Sequence, residues 1–275
     1  MQENELILID KPAGITSFGV VARVRRVLSE QANSTTAEAS VSSTQLGAQS
    51  IPAQSAERRG LSDKTRDDEL EARRRNGWSD ERPARTKRRR IKVGHAGTLD
   101  PFATGLLTIL TGKMTKRAGE LTKLDKTYEA TIILGATSTT GDPEGEITHT
   151  SDRQPTLTEI QQTLTHFTGD QLQKPPIFSA IKINGQRAYH LARKGKQPEI
   201  PPRPITIHSI TLDSYSYPEL RITTHVSSGT YIRSLATDVG DHLDTGAYLS
   251  QLRRTRVGPH SIIDAKTLPE LGITD

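Results

Sequence analysis

A chain of 275 residues without cysteine has room for one large domain or two small ones, and it excludes a disulfide framework and thiolate chemistry. Its net charge of +5 and pI near 9.4 lean toward a polyanionic partner. No apolar run approaches the roughly 20 residues of a membrane span. The start, Met1-Gln2-Glu3-Asn4-Glu5, lacks the basic-then-apolar order of a signal peptide, so a cytoplasmic protein without membrane contact is expected.

Glu5-Leu6-Ile7-Leu8-Ile9-Asp10 reads as a short buried strand and Lys11-Pro12-Ala13-Gly14 as a turn. Thr16 or Ser17 then caps a helix whose apolar face is Val20, Val21, Val24, Val27 and Leu28, with Arg23, Arg25 and Arg26 on its other faces. From 31 to 90 the composition shifts to Ser, Thr, Ala, Gln, Glu and Arg, with Trp78 the exception. Such a segment buries too little apolar surface to offset its ordering entropy, and it reads as a disordered basic insertion. It ends in Arg85-Thr86-Lys87-Arg88-Arg89-Arg90-Ile91-Lys92. That run fits a solvated charged tail, an electrostatic grip on nucleic acid or a nuclear import signal.

The next segment, Gly94-His95-Ala96-Gly97-Thr98-Leu99-Asp100-Pro101-Phe102-Ala103, reads as a loop. Pro101 disfavours the helical region for Asp100, so this carboxylate sits on a stiff, non-helical turn. Asp100 is either a turn-former or a reactive group. Leu106-Leu107-Thr108-Ile109-Leu110 follows as a buried strand, 115–124 as a short helix and 127–135 as a strand with partial alternation. Gly141-Asp142-Pro143-Glu144-Gly145 is a turn, and 156–167 is helical through Leu157, Ile160 and Leu164. Residues 203–217 and 219–226 read as paired strands. Residues 230–243 read as an amphipathic helix with Ile232, Leu235, Ala236, Val239 and Leu243 inward, and 247–257 as a last strand. Strands and helices without a βαβ rhythm predict an α+β fold on a mixed, largely antiparallel sheet with flanking helices.

No Gly-rich phosphate loop and no GxGxxG after a strand is present. The eight histidines lack paired-ligand spacing, so no metal site and no cofactor is expected. Glycoside hydrolysis usually needs two carboxylates, and the loop around Asp100 carries no second one.

Six blocks, in order, resemble the bacterial TruB family of tRNA pseudouridine synthases. Gly94-His95-Ala96-Gly97-Thr98-Leu99-Asp100-Pro101 is similar to the stretch around that family's catalytic aspartate. Asp10-Lys11-Pro12-Ala13-Gly14-Ile15-Thr16-Ser17 precedes it. Lys126-Thr127-Tyr128-Glu129-Ala130, with Leu134-Gly135 and Thr139-Thr140-Gly141-Asp142, follows. Pro175-Pro176-Ile177-Phe178-Ser179-Ala180-Ile181-Lys182, with Gly185-Gln186-Arg187-Ala188-Tyr189, resembles a thumb segment that closes over an RNA loop. Ser228-Gly229-Thr230-Tyr231-Ile232-Arg233-Ser234-Leu235 and Leu252-Arg253-Arg254-Thr255 complete the set. The resemblance implies a catalytic domain of the pseudouridine synthase type over 1–30 and 91–260. It implies isomerisation of uridine 55 in the TΨC stem-loop of tRNA by a monomer. By the same resemblance Asp100 is the essential carboxylate and Arg233 its ionic partner. Tyr128 is a stacking face for a flipped base, Tyr231 and Leu252 line the pocket, and His95 holds or fills the flipped region. Lys11, with Lys113 and Arg253, is a candidate for phosphate contact. The alternative reading is a catalytically idle RNA-binding or tRNA-folding helper on the same scaffold.

Two departures stand out. Residues 261–275 form a stub where the family carries a small RNA-binding domain of the PUA type, which is expected to be absent. The 31–90 segment replaces a brief connection and is expected to supply some electrostatic binding. Deleting residues 33 to 88 should therefore raise KM for tRNA and flatten its salt dependence. An unchanged slope of log KM against log salt would remove that role from the segment.

Overall fold

The computed structural model describes residues 1, 3–44, 90–179, 181–183, 185–192, 195 and 199–274. The chain divides into a unit formed by Met1–Leu28 with Ile91–Asp275 and a second unit, Ser29–Arg90. Residues 45–89, with Trp78 and the basic run up to 89, lie outside the described residues.

The first unit is built on one mixed sheet. Its strands are β1 (Leu6–Lys11), β2 (Val93–Ala96), β3 (Thr104–Thr111), β4 (Lys126–Leu134), β7 (Gly169–Gln173), β10 (Arg203–Ser216), β11 (Glu219–Val226), β12 (Ala247–Val257) and β13 (His260–Ser261). Two small ribbons stand apart, β5 (Ala136–Ser138) with β6 (Ile147–His149), and β8 (Lys182–Ile183) with β9 (Gln186–Arg187). The main order is β1-β3-β12-β4-β11-β10-β7, with β2 on β3 and β13 on β12. Every pairing is antiparallel except β3 with β12, where Thr104 and Gly105 face Arg253 and Arg254. Gly105 makes that pairing possible: at φ +99° a Cβ there would lie 2.3 Å from the Arg254 carbonyl oxygen.

Five helices occur among the described residues: α1 (Ser17–Thr44), α2 (Ala118–Thr122), α3 (Leu157–His166), α4 (Ala188–Ala192) and α5 (Ile232–His242). The hydroxyl of Thr16 caps α1 by accepting from the Gly19 N–H at 2.9 Å. Val20, Val21, Val24 and Leu28 bury their side chains, while Val27 is only half-buried. α1 continues to Thr44, so residues 31–44 are helical rather than disordered. Packed early turns have already met the cost of nucleation, and Ala, Glu and Gln extend the helix at little further cost. α3 carries a capping box between Thr156 and Glu159 and buries Ile160, Thr163 and Leu164. Leu157 stays exposed, because the first residue of the helix lies outside its packed stripe. α5 buries Ile232, Leu235, Ala236 and Val239 and packs against β12.

The Asp100 segment is less of a loop than its glycines suggest, since β2 claims His95 and Ala96. What remains, 97–103, is held from the N-terminal turn. The Ser17 hydroxyl donates to the Leu99 carbonyl at 2.9 Å and accepts from the Leu99 N–H at 2.8 Å. The Gly14 N–H donates to the Pro101 carbonyl at 2.8 Å. Ser17→Ala leaves both main-chain groups of Leu99 buried without that partner. It should lower unfolding free energy by about 1–3 kcal/mol in urea titration, and a change within error would show that the clamp is dispensable.

Candidate active site

Asp100 sits at the middle of the clamped turn, and its Oδ2 lies 3.0 Å from Nε of Arg233, in the first turn of α5. The arginine is 5 % exposed. Both of its terminal nitrogens are engaged nearby. Nη1 reaches Asp142 Oδ2 at 3.2 Å and the Thr140 carbonyl at 3.0 Å, and Nη2 donates to the Phe178 carbonyl at 2.8 Å. One planar fork thus joins the turn 97–103, the turn 139–145 and the 175–179 segment.

The carboxylates carry opposing influences. Burial outweighs the rest and raises the pKa of Asp100; the Arg233 guanidinium pulls it down, Asp142 pushes it up and Lys11 pulls it down. The Asp100 side chain keeps 35 % of its surface open. Asp142 is buried, accepting from the Thr140 hydroxyl at 2.5 Å and the Glu144 N–H at 3.0 Å. Glu144 is held above the ordinary carboxylate range by burial and by the charges of Asp142 and Asp100. Asp142 and Glu144 are the acids that inspection of the 94–103 segment does not find. The signal for Asp142 was present in Thr139-Thr140-Gly141-Asp142, but nothing local tells that this turn folds against Asp100.

Lys11 corrects an expectation. It is fully buried at the end of β1, and its ammonium donates to the carbonyls of Pro12, Ile15 and Pro101 at 2.8, 2.8 and 3.2 Å. A side chain committed to three carbonyls is not free for a phosphate. It stitches the N-terminal turn to the Asp100 turn, and burial lowers its pKa to about 8. Arg253 forms a two-pronged pair with Asp10 at 3.1 and 2.7 Å, and Lys113 is exposed. Arg254 is a residue the sequence reading passed over. Fully buried, it donates to the carbonyls of Leu106, Gly97 and Thr98 at 2.8, 3.0 and 3.4 Å.

Tyr128 is buried on β4 and faces Arg254 of β12 and Thr224 of β11 in register. Directly opposed residues share a sheet face, so Tyr128 and Arg254, which holds Gly97 and Thr98, lie on the same face. Leu252, opposite Ala130, is also buried, and lines an open groove of about 690 Å³ with Phe102, Glu129 and Arg253. Tyr231 caps α5, its N–H donating to Gln173 Oε1 at 2.8 Å and its carbonyl accepting from Gln173 Nε2 at 3.0 Å. Burial pushes its phenol up. His95 lies on β2 with a buried Nδ1 that lacks a partner, and burial together with Arg254 lowers its pKa. The structure therefore brings Asp100, Arg233 and Asp142 into direct contact and places Lys11 and Arg254 as props of the same turn.

The architecture has solved counterparts. A chain in the crystal structure of a Cbf5-Nop10-Gar1 complex aligns with a TM-score of 0.61 and 24 % identity, over 98 % of this chain and 54 % of that one. A chain of an archaeal box H/ACA sRNP Nop10-Cbf5 complex aligns at 0.57 and 21 % identity. At such identities the likeness shows the fold, and this chain spans about half of either counterpart. The sequence defines the class: the family model described as TruB family pseudouridylate synthase (N terminal domain) matches residues 84–232. The chain belongs to the TruB family of pseudouridylate synthases. The tRNA pseudouridine synthase B of Bacteroides fragilis is 49 % identical over 175 residues, 63 % of this chain and 75 % of the relative. That of Novosphingobium aromaticivorans is 44 % identical over 187 residues, 66 % of this chain and 62 % of the relative. Enzymes of the family isomerise uridine to pseudouridine in tRNA. Among the described residues no helix is long and apolar enough to cross a membrane.

The shared guanidinium makes a signed prediction for Asp100. Asp142→Asn removes a like charge and should lower the carboxyl pKa of Asp100, whereas Arg233→Gln removes the attracting charge and should raise it. Carbon-13 titration of the Asp100 carboxyl in the two variants reads both shifts, and movement of both in one direction would refute the charge arrangement.

Proposed function

We propose that this chain isomerises uridine 55 in the TΨC stem-loop of tRNA, acting as a cytoplasmic monomer, with Asp100 as its essential carboxylate. In this reaction the N1–C1′ bond breaks, the uracil turns over and C5 bonds to C1′. C5 loses its proton and N1 gains one, so the exchange involves no net oxidation or hydrolysis. The observation that carries the reading is the Asp100–Arg233 pair at 3.0 Å. A guanidinium buried beside a partly open carboxylate favours the ionised, oriented form. That form serves either as a nucleophile toward base or sugar or as a base toward a sugar proton.

A uridine within a folded loop is out of reach until it is everted. Tyr128 would then offer a stacking face on the order of 1–3 kcal/mol per base. Tyr231 and Leu252 would line the pocket, and His95, kept neutral by burial, would fill or hold the vacated space. Arg233 also holds the Phe178 carbonyl, so the segment that would close over the RNA loop shares an anchor with the carboxylate. A helper that only binds RNA has no use for a partly open carboxylate paired to a buried guanidinium.

Unmodified tRNA carrying tritium at uracil C5 tests the assignment. The unaltered chain should release tritium. Asp100→Asn should abolish release while keeping tRNA affinity within a few-fold, because its amide retains the shape of the turn. Release at the normal rate from that variant would overturn the role of Asp100.

A further inference from the structure

We infer that Asp125, His208 and His225 form a surface site for one divalent transition-metal cation of the zinc type, just ahead of β4, at a bulge within β10 and at the end of β11. Among the described residues these three alone each offer a nitrogen or oxygen donor with all donors within 4.8 Å of one another. His208 Nε2 and Asp125 Oδ2 are 3.2 Å apart, and the two imidazole rings lie with centroids at 4.7 Å, tilted by 39°. Bonds of about 2.0–2.1 Å in a tetrahedral site place neighbouring donors about 3.3 Å apart. The carboxylate and His208 already stand at that spacing, and rotation of surface side chains closes the rest. Imidazole and carboxylate are the donor set that suits such a cation, and three protein ligands leave the fourth position to water.

The backbone presents these donors without a local sequence motif. His225 of β11 pairs with Ser209 of β10, and the register slips between Ile207 and Ser209, leaving His208 as the extra residue of a bulge. Bulges re-aim a side chain, here toward the neighbouring strand. Val226 pairs with Lys126, so Asp125 arrives next to the end of β11, and its carbonyl is fixed by the Gly258 N–H at 2.8 Å. The Lys126 ammonium, which would repel a cation, is turned onto the carbonyls of Thr122 and Leu124 at 2.6 and 2.5 Å. A bound ion would tie three adjacent strands at one end of the sheet.

Titration of the chelator-treated full chain with Co²⁺ tests this. Saturable one-to-one uptake is expected, with the visible absorption of a low-coordinate Co²⁺ site that Zn²⁺ then displaces. The double variant His208→Gln, His225→Gln should lose affinity by at least about tenfold and Asp125→Asn should weaken it less. Zn²⁺ should raise the Tm of the unaltered chain and leave that of the double variant unmoved. Absence of saturable uptake by the unaltered chain, or equal affinity in the double variant, would overturn the site. The absorption of the unaltered chain decides even where a variant folds poorly.

Discussion

The Arg233 guanidinium is the constraint on which the site depends. A cation 5 % exposed is tolerated only when its charge and its donors are matched. Here two carboxylates and two carbonyls meet it, from three separate turns of chain. Removing it would leave Asp100 and Asp142 close together without the charge between them, and would free the Phe178 carbonyl. A lysine could supply the charge but not the planar fork that reaches three segments at once. Orientation of the carboxylate and anchorage of the 175–179 segment are therefore one electrostatic arrangement.

Around that centre the turn carrying Asp100 is immobilised from behind. Lys11, Ser17 and Gly14 hold it from the N-terminal side, and Arg254 holds Gly97 and Thr98 from β12. Two of these props are buried cations spent on carbonyl oxygens rather than on carboxylates. Charge-assisted bonds to main chain fix the turn in addition to its buried Leu99 and Ala103. Lys11 and Arg254 thus act on the protein's own backbone.

Much of the fold was legible from periodicity. The strands of 127–135, 203–217, 219–226 and 247–257 and the helix of 230–243 follow from burial on one face, and they lie where their patterns placed them. The short ribbons β5 with β6 and β8 with β9 were not legible, because two or three residues carry no period. β2 was hidden by its glycine and histidine, and only its neighbour β3 makes it a strand. Leu157 shares the helical spacing of Ile160 and Leu164, yet a helix terminus can satisfy the spacing and still project beyond the packed surface. The continuation of α1 to Thr44 shows a composition that would not fold alone carried forward by turns that are already packed.

The sequence by itself determined which groups are present and which stretches of chain stiffen them: Asp100 ahead of Pro101, the amphipathic faces, and the blocks that mark the family. It did so because proline geometry, side-chain period and motif order are properties of neighbours along the chain. Only the tertiary structure decided that Arg233 reaches Asp142 as well as Asp100, that Lys11 points inward, and that Arg254 underpins the turn. Those contacts join residues from about 90 to 160 positions apart, and charge carries no record in the sequence of the partner that will neutralise it.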